Sequence, residues 1–194
     1  MNPLTSKNGV VAVCILKGGM GKSTIAINLA HRLQENHGET VYIDVDKNGH
    51  GTEFLGFGDA YKANGQLEEV IFRDEHPADL VIETEWDFGV VASSSEMSTI
   101  NDRMKNQMNA DVILKNKVID PLREDGYDYV VLDALVIPRK WLITRWLPHR
   151  VLSFRSSLGR EASVALNESW KTRSSLSLRQ RMELLIFSLS HRIC

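Results

Sequence analysis

"VVAVCILKGGMGKST" (residues 10–24) decides the fold. Its first seven residues are apolar without interruption, the pattern of a strand buried on both faces of a parallel sheet. Three glycines follow within five positions, and from Lys22 the apolar residues Ile25, Ala26, Leu29, Ala30 and Leu33 recur at helical spacing until Gly38, a C-cap signal. A strand that ends in glycines and continues as a helix leaves unpaired backbone N–H groups around one concavity, at the positive end of the helix dipole. Such a concavity binds anions. Gly18, Gly19 and Gly21 let the backbone approach a ligand closely, and the cradle runs on through Met20, Lys22, Ser23 and Thr24. Lys22 can reach the β- and γ-phosphates of a nucleotide, and the Ser23 hydroxyl can ligate Mg²⁺.

"TVYIDV" (40–45) is a second buried strand, with Asp44 and Asp46 at its end. Strand, glycine loop, helix and strand make a βαβ unit with a right-handed crossover. Residues 47–60 read as a loop, and "GQLEEVIF" (65–72) as a short amphipathic helix. "FGVVASSSEM" (88–97) reads as a third strand with a polar end, and "SSSE" (93–96) as a helix N-cap ahead of Met97 or, secondly, as a contact for phosphate or a partner. From Met97 to Leu122 the apolar residues keep a helical period that breaks near Asn109, with the methionines as core filling. "YDYVVLDA" (127–134) is a strand ending in Asp133. Alternating strands and helices predict an α/β fold with a doubly wound, mostly parallel sheet.

Composition removes several classes. Cys14 and Cys194 are too few for a disulfide framework and lack metal-ligand spacing, which fits a reducing, cytoplasmic compartment. His31, His37, His50 and His76 also lack ligand spacing. No apolar run approaches the roughly 18 residues a membrane-spanning helix needs. The net charge of −2 hides an asymmetry. Residues 1–137 hold 12 Lys and Arg against 22 Asp and Glu, a balance of −10, whereas residues 138–194 hold 11 against 3, a balance of +8. Serine, arginine, leucine and tryptophan dominate after Pro138, and aspartate is absent there.

The pattern G-x-x-x-x-G-K-[ST] fails at its first position, which is Leu16. "KGGMGKST" instead resembles the deviant Walker A motif K-G-G-x-G-K-[ST] of the ParA/MinD ATPases. That resemblance implies a P-loop fold, ATP and Mg²⁺ as cofactors, and an ATP-sandwich homodimer in which Lys17 touches the nucleotide of the partner subunit. A second cation suits a triphosphate, whose charge exceeds what one lysine and one Mg²⁺ neutralise. "IDVDKNGHGTEFLG" (43–56) resembles the family's D-x-D-P-x-G-x-x-T stretch with Lys47 in place of the proline. The resemblance implies that Asp44 lies near the Mg²⁺ shell, that Asp46 orients the attacking water, and that Asp133, after "YVVL", is the Walker B aspartate. Strand ends of this kind line the ligand crevice of open α/β sheets. Nonspecific DNA and a ParB-like activator are the implied partners.

The resemblance covers residues 10 to about 134. The sheet is then expected to be incomplete, because "LVIPRKWLITRWLPHRVLSFRSSLGRE" lacks the strand and helix alternation of the family. A back-translation of residues 134–146 with one base restored after the codon for Ala134 reads like a family continuation. With the charge reversal at the same place, this predicts an ATPase domain over 1–137 and a basic tail over 138–194 that is out of frame or poorly ordered. The chain is then an ATPase by descent, weak or inactive as written. The rivals are a MinD-like membrane-positioning ATPase, with 176–193 as an interfacial helix, and a non-enzymatic truncated remnant. Iron–sulfur reductases sharing the loop are disfavoured, because neither cysteine is placed to ligate a cluster.

Overall fold

The computed structural model describes residues 9–14, 21–62, 66–105, 110–134, 150–155 and 161–166. In chain order the elements are β1 (Gly9–Cys14), α1 (Lys22–Asn36), β2 (Thr40–Asp44), α2 (His50–Phe54), α3 (Gly58–Lys62), α4 (Gln66–Arg73) and β3 (Val81–Glu83). There follow β4 (Gly89–Val91), α5 (Met97–Lys105), α6 (Ala110–Leu114), α7 (Asp120–Glu124), β5 (Tyr129–Ala134), β6 (Arg150–Arg155) and β7 (Glu161–Leu166). The strands form one sheet in the order β3-β4-β2-β5-β1-β7-β6. Its centre, β4-β2-β5-β1, is parallel; the single strand β3 runs antiparallel to β4 at one edge, and the antiparallel hairpin of β7 and β6 lies beside β1 at the other.

Side-chain alternation explains why helices cover both faces. Along β1, Val10 and Ala12 pack on one side with residues of α4 through α7, among them Leu67, Ile71, Met97, Ile100 and Leu122. Val11 and Val13 pack on the other with Ala26, Leu29, Ala30 and Leu33 of α1. All four β1 residues are fully buried, as expected of a strand with a continuous apolar run. Each leucine taken out of water this way contributes roughly 1.5–3 kcal/mol. The sheet is therefore doubly wound, as the alternation predicts.

Several expectations are corrected. Residues 47–60 are not plain loop: they hold α2 and α3, each a single helical turn among glycines that propensity alone disfavours. A further strand, β3, precedes the expected third one, which is β4. With three residues, none of them fully buried, β3 offers too little pattern to be recognised. The break expected near Asn109 lies outside the described residues, and the helical period changes at Lys115–Ile119, which form a π-helical turn between α6 and α7. That turn comes just before Pro121, whose ring nitrogen cannot donate to the Lys117 carbonyl as an α-helix requires. The side chains of Met104 and Met108 lie outside the described residues. The tail, expected to be out of frame or poorly ordered, contributes two strands among the described residues. "RVLSFR" and "EASVAL" form β6 and β7, and β7 runs antiparallel to β1 with Val11 opposite Leu166 and Cys14 opposite Ser163. Two short runs joined across five residues that include a glycine can close as a hairpin, which needs no crossover helix.

Candidate functional site

β2, β5 and β1 all end at the same edge of the sheet, and the site is built from those ends. Parallel register places Asp44 of β2 opposite Asp133 of β5, and Val13 of β1 opposite the same Asp133. α1 begins at this edge. Its N-cap is Gly21, in the left-handed conformation at φ 76°, and the first helical hydrogen bond runs from the Ile25 N–H to the Gly21 carbonyl at 2.9 Å. A side chain at that φ would be strained, so the glycine of the motif fixes how the helix leaves the strand. Ser23 and Thr24 are half-buried in the first turn of α1.

Lys22, the first residue of α1, is 8% exposed and has turned onto the strand ends. Its ammonium group donates to Asp133 Oδ1 and lies 3.2 Å from Asp46 Oδ2. Burial pulls the Lys22 ammonium down, but the Asp133 carboxylate and then that of Asp46 more than offset this, leaving it above the ordinary lysine value. The other Asp133 oxygen, Oδ2, accepts a 2.8 Å hydrogen bond from the Tyr42 hydroxyl. Burial first, then the Asp44 and Asp133 charges, push that hydroxyl well above the ordinary tyrosine value, so it remains a donor.

Asp44 is fully buried, and both of its oxygens are engaged. Oδ2 accepts from the Thr52 N–H at 2.9 Å and the Thr52 hydroxyl at 2.8 Å, and Oδ1 accepts from the Asp46 N–H at 3.0 Å. Asp44 therefore closes the first turn of α2 from outside, taking up an N–H that a short helix leaves unpaired. Burial and the neighbouring Asp133 raise its carboxyl to about 6 despite these hydrogen bonds. Asp46 Oδ1 accepts from the N–H and the side-chain amide of Asn48 at 3.0 and 3.1 Å. Ser93, just past β4, ties the same loop down. Its N–H donates to the Thr52 hydroxyl at 2.9 Å, and its own hydroxyl donates to the Asp46 carbonyl at 2.6 Å.

Of the residues singled out in the sequence, Lys22, Asp44, Asp46 and Asp133 thus form one connected network. Lys17, Gly18, Gly19 and Met20 lie outside the described residues. Ser93 makes a loop tie rather than a helix cap, while the Ser94 hydroxyl is buried with no hydrogen-bond partner among the described residues. His31 lies 3.6 Å from Glu35 and His76 3.6 Å from Asp125, each an ordinary surface pairing. Tyr42, Gly51 and Thr52 were not singled out. Thr52 is the threonine that ends the D-x-D-P-x-G-x-x-T resemblance, so its position was on view without its partner. The signal for Tyr42 was weaker: a hydroxyl inside an apolar strand must find an acceptor when buried.

The donor chemistry suits a hard divalent cation. Asp44, Asp46 and Asp133 are buried around a single buried ammonium among the described residues, an excess of negative charge that a cation offsets. No group of three or more His, Cys, Asp or Glu side chains forms a ready-made cage among the described residues. Mg²⁺ does not need one, because it is held by one or two carboxylates together with water and substrate phosphates.

The AAA domain family model AAA_31 matches residues 8–145. The chromosome partitioning protein ParA of Myxococcus xanthus is 29% identical over 126 residues, which cover 64% of this chain and 44% of that protein. The cell division protein PomZ of the same organism is 31% identical over 120 residues, covering 61% of this chain and 36% of that one. The chain thus spans less than half the length of these curated relatives. Among solved structures, an ATP complex of a Cyanothece McdA variant superposes with a TM-score of 0.57 at 26% identity, covering 68% of this chain and 50% of that chain. The family match takes in every element from β1 through β5, and the chain belongs to the AAA_31 family of AAA domains as a ParA/MinD-type P-loop ATPase.

Proposed function

We propose that this chain binds ATP with Mg²⁺ and hydrolyses it as a ParA-type partition ATPase, forming a nucleotide-sandwich homodimer that binds DNA nonspecifically and responds to a ParB-like activator. The observation that carries this reading is the buried contact of Lys22, at the start of α1, with Asp46 and Asp133. A lysine held between two carboxylates at the mouth of a phosphate cradle is a cation stored next to its intended anion. The relatives fit: ParA is a chromosome partitioning protein, PomZ a cell division protein, and the structure of a McdA variant has been solved as an ATP complex.

In this reading Gly18, Gly19, Met20 and Gly21 wrap the phosphates with backbone N–H groups, and Lys22 leaves its carboxylates for the β- and γ-phosphates. Ser23, Asp44 and Asp133 would hold Mg²⁺, which would supply positive charge against the charge that develops on the phosphates. Asp46, released by Lys22, orients the attacking water, while Lys17 of one subunit serves the nucleotide of the other.

ATP hydrolysis is to be measured alone, with duplex DNA and with anionic vesicles. DNA is expected to stimulate it, and Lys22→Ala and Asp46→Ala are each expected to lower the rate by about 100-fold or more, the usual cost of removing one preorganised group. Activity that survives both substitutions would overturn the site assignment. Stimulation by vesicles alone would mark a membrane-positioning ATPase, and a chain that binds no nucleotide would be a non-enzymatic remnant.

A further inference from the structure

We propose that Tyr42 is a positioning residue of this site: its hydroxyl anchors the Asp133 carboxylate through Oδ2, leaving Oδ1 as the oxygen that exchanges Lys22 for hydrated Mg²⁺. This rests on the reading of the site as an ATP and Mg²⁺ centre. Three observations carry it.

First, Tyr42 lies fully buried on β2 between Val41 and Ile43, and its ring packs with Val11, Val131 and Ala26 in the apolar layer under α1. An aliphatic side chain would satisfy that layer. A hydroxyl there costs desolvation unless it is paired, and it is paired with one Asp133 oxygen at 2.8 Å. Second, the two Asp133 oxygens have different partners, Tyr42 on Oδ2 and Lys22 on Oδ1. A phenol in the strand layer cannot follow a ligand, whereas the lysine stem can swing. Loss of Lys22 to a phosphate frees one oxygen and leaves the other held, so the carboxylate does not rotate away. Third, the chain keeps room for this contact. A Cβ on Gly51 would stand 1.8 Å from the Tyr42 oxygen and 3.1 Å from Asp133 Oδ2, so the absence of a side chain at Gly51 is what lets α2 close over the pair.

A partner behind a metal-holding side chain typically changes metal affinity 10- to 100-fold. The effect belongs to Mg²⁺ and not to the nucleotide, and this separates positioning from packing. The test compares wild type with Tyr42→Phe by the rise in melting temperature that ATP causes, first in EDTA and then with increasing Mg²⁺. The variant should keep the EDTA shift and need about 10-fold or more Mg²⁺ to reach half of the further shift. An unchanged Mg²⁺ requirement in a folded variant would overturn the proposal while leaving the nucleotide reading intact. No shift in wild type with ATP under either condition would overturn the nucleotide reading, and this proposal with it.

If Tyr42→Phe does not fold, the wild-type chain labelled with 3-fluorotyrosine decides the matter. Single replacements of Tyr61, Tyr127 and Tyr129 by phenylalanine assign the fluorine signals. The Tyr42 resonance should move when Mg²⁺ is added to the ATP-bound protein, and a resonance that stays put would overturn the proposal.

Discussion

Asp44 shows how one residue can serve the fold and strain it at once. It is the anchor for Thr52 and the Asp46 N–H, yet its carboxyl is raised from 3.8 to about 6, by burial first and by Asp133 second. Because the folded value lies above the unfolded one, the native state holds the proton longer. Below pH 4 both states are protonated, and above pH 6 both are ionised. Between them the folded chain binds more protons, so this residue makes stability fall as pH rises, by about 3 kcal/mol across the window. Urea unfolding of the nucleotide-free chain, without Mg²⁺, should therefore show wild type losing stability relative to Asp44→Asn between pH 4 and 6. A difference between the two that does not change with pH would show that Asp44 ionises normally in the folded chain.

At the scale of elements, α2 is the piece whose position matters most and whose sequence announces it least. His50–Phe54 is one turn of helix, too short to stand by itself. It is held by Asp44 at Thr52, by Ser93 through the Thr52 hydroxyl, and by the fit of Gly51 over Tyr42. Gly51→Ala puts a methyl group into the Tyr42 hydroxyl in a fully buried place. The expected cost is about 1–3 kcal/mol, read as a lower midpoint in a denaturant melt. A midpoint equal to wild type would mean that α2 does not rest on Tyr42. The same element shows what the sequence could and could not convey. β1, α1, β2 and β5 were legible because a continuous apolar run, a 3.6-residue period and a glycine loop are local signals. Lys22, Asp44, Asp46 and Asp133 were legible because they sit at fixed places in those signals. α2 and the Tyr42 contact were not, since they depend on Asp44 and Asp133, eight and 91 residues away from their partners. β3 fell below recognition for its length, and β6 and β7 because the tail shows no alternation with helices.

For the whole molecule the open question is what closes the sheet beside β1. Residues 1–137, which supply the parallel centre, have a charge balance of −10, and the basic tail supplies the antiparallel hairpin that pairs with β1. The family match ends at residue 145, before that hairpin begins. A parallel strand delivered by a crossover helix is the usual neighbour of a strand in such a sheet, and the helix would also cover a face. The hairpin supplies backbone partners for β1 from residue 11 to residue 14 and brings no helix among the described residues. The out-of-frame origin of residues 138–194 stands as a proposal, and together with the pairing of β7 it makes a ranking. A chain cut after residue 137 leaves β1 as a bare, apolar edge, open to pairing with another copy. It should melt lowest and associate as concentration rises. The chain as written should melt higher, by several degrees if the hairpin contributes about 1–2 kcal/mol in a protein of this size. A chain with one base restored after the codon for Ala134 should melt highest, since it regains cover for apolar faces as well as partners for an edge. Thermal melts of the three at two or more protein concentrations decide both points. Equal melting of the cut and full chains would remove the hairpin from the fold, and a restored chain no more stable than the one written would sink the frame proposal.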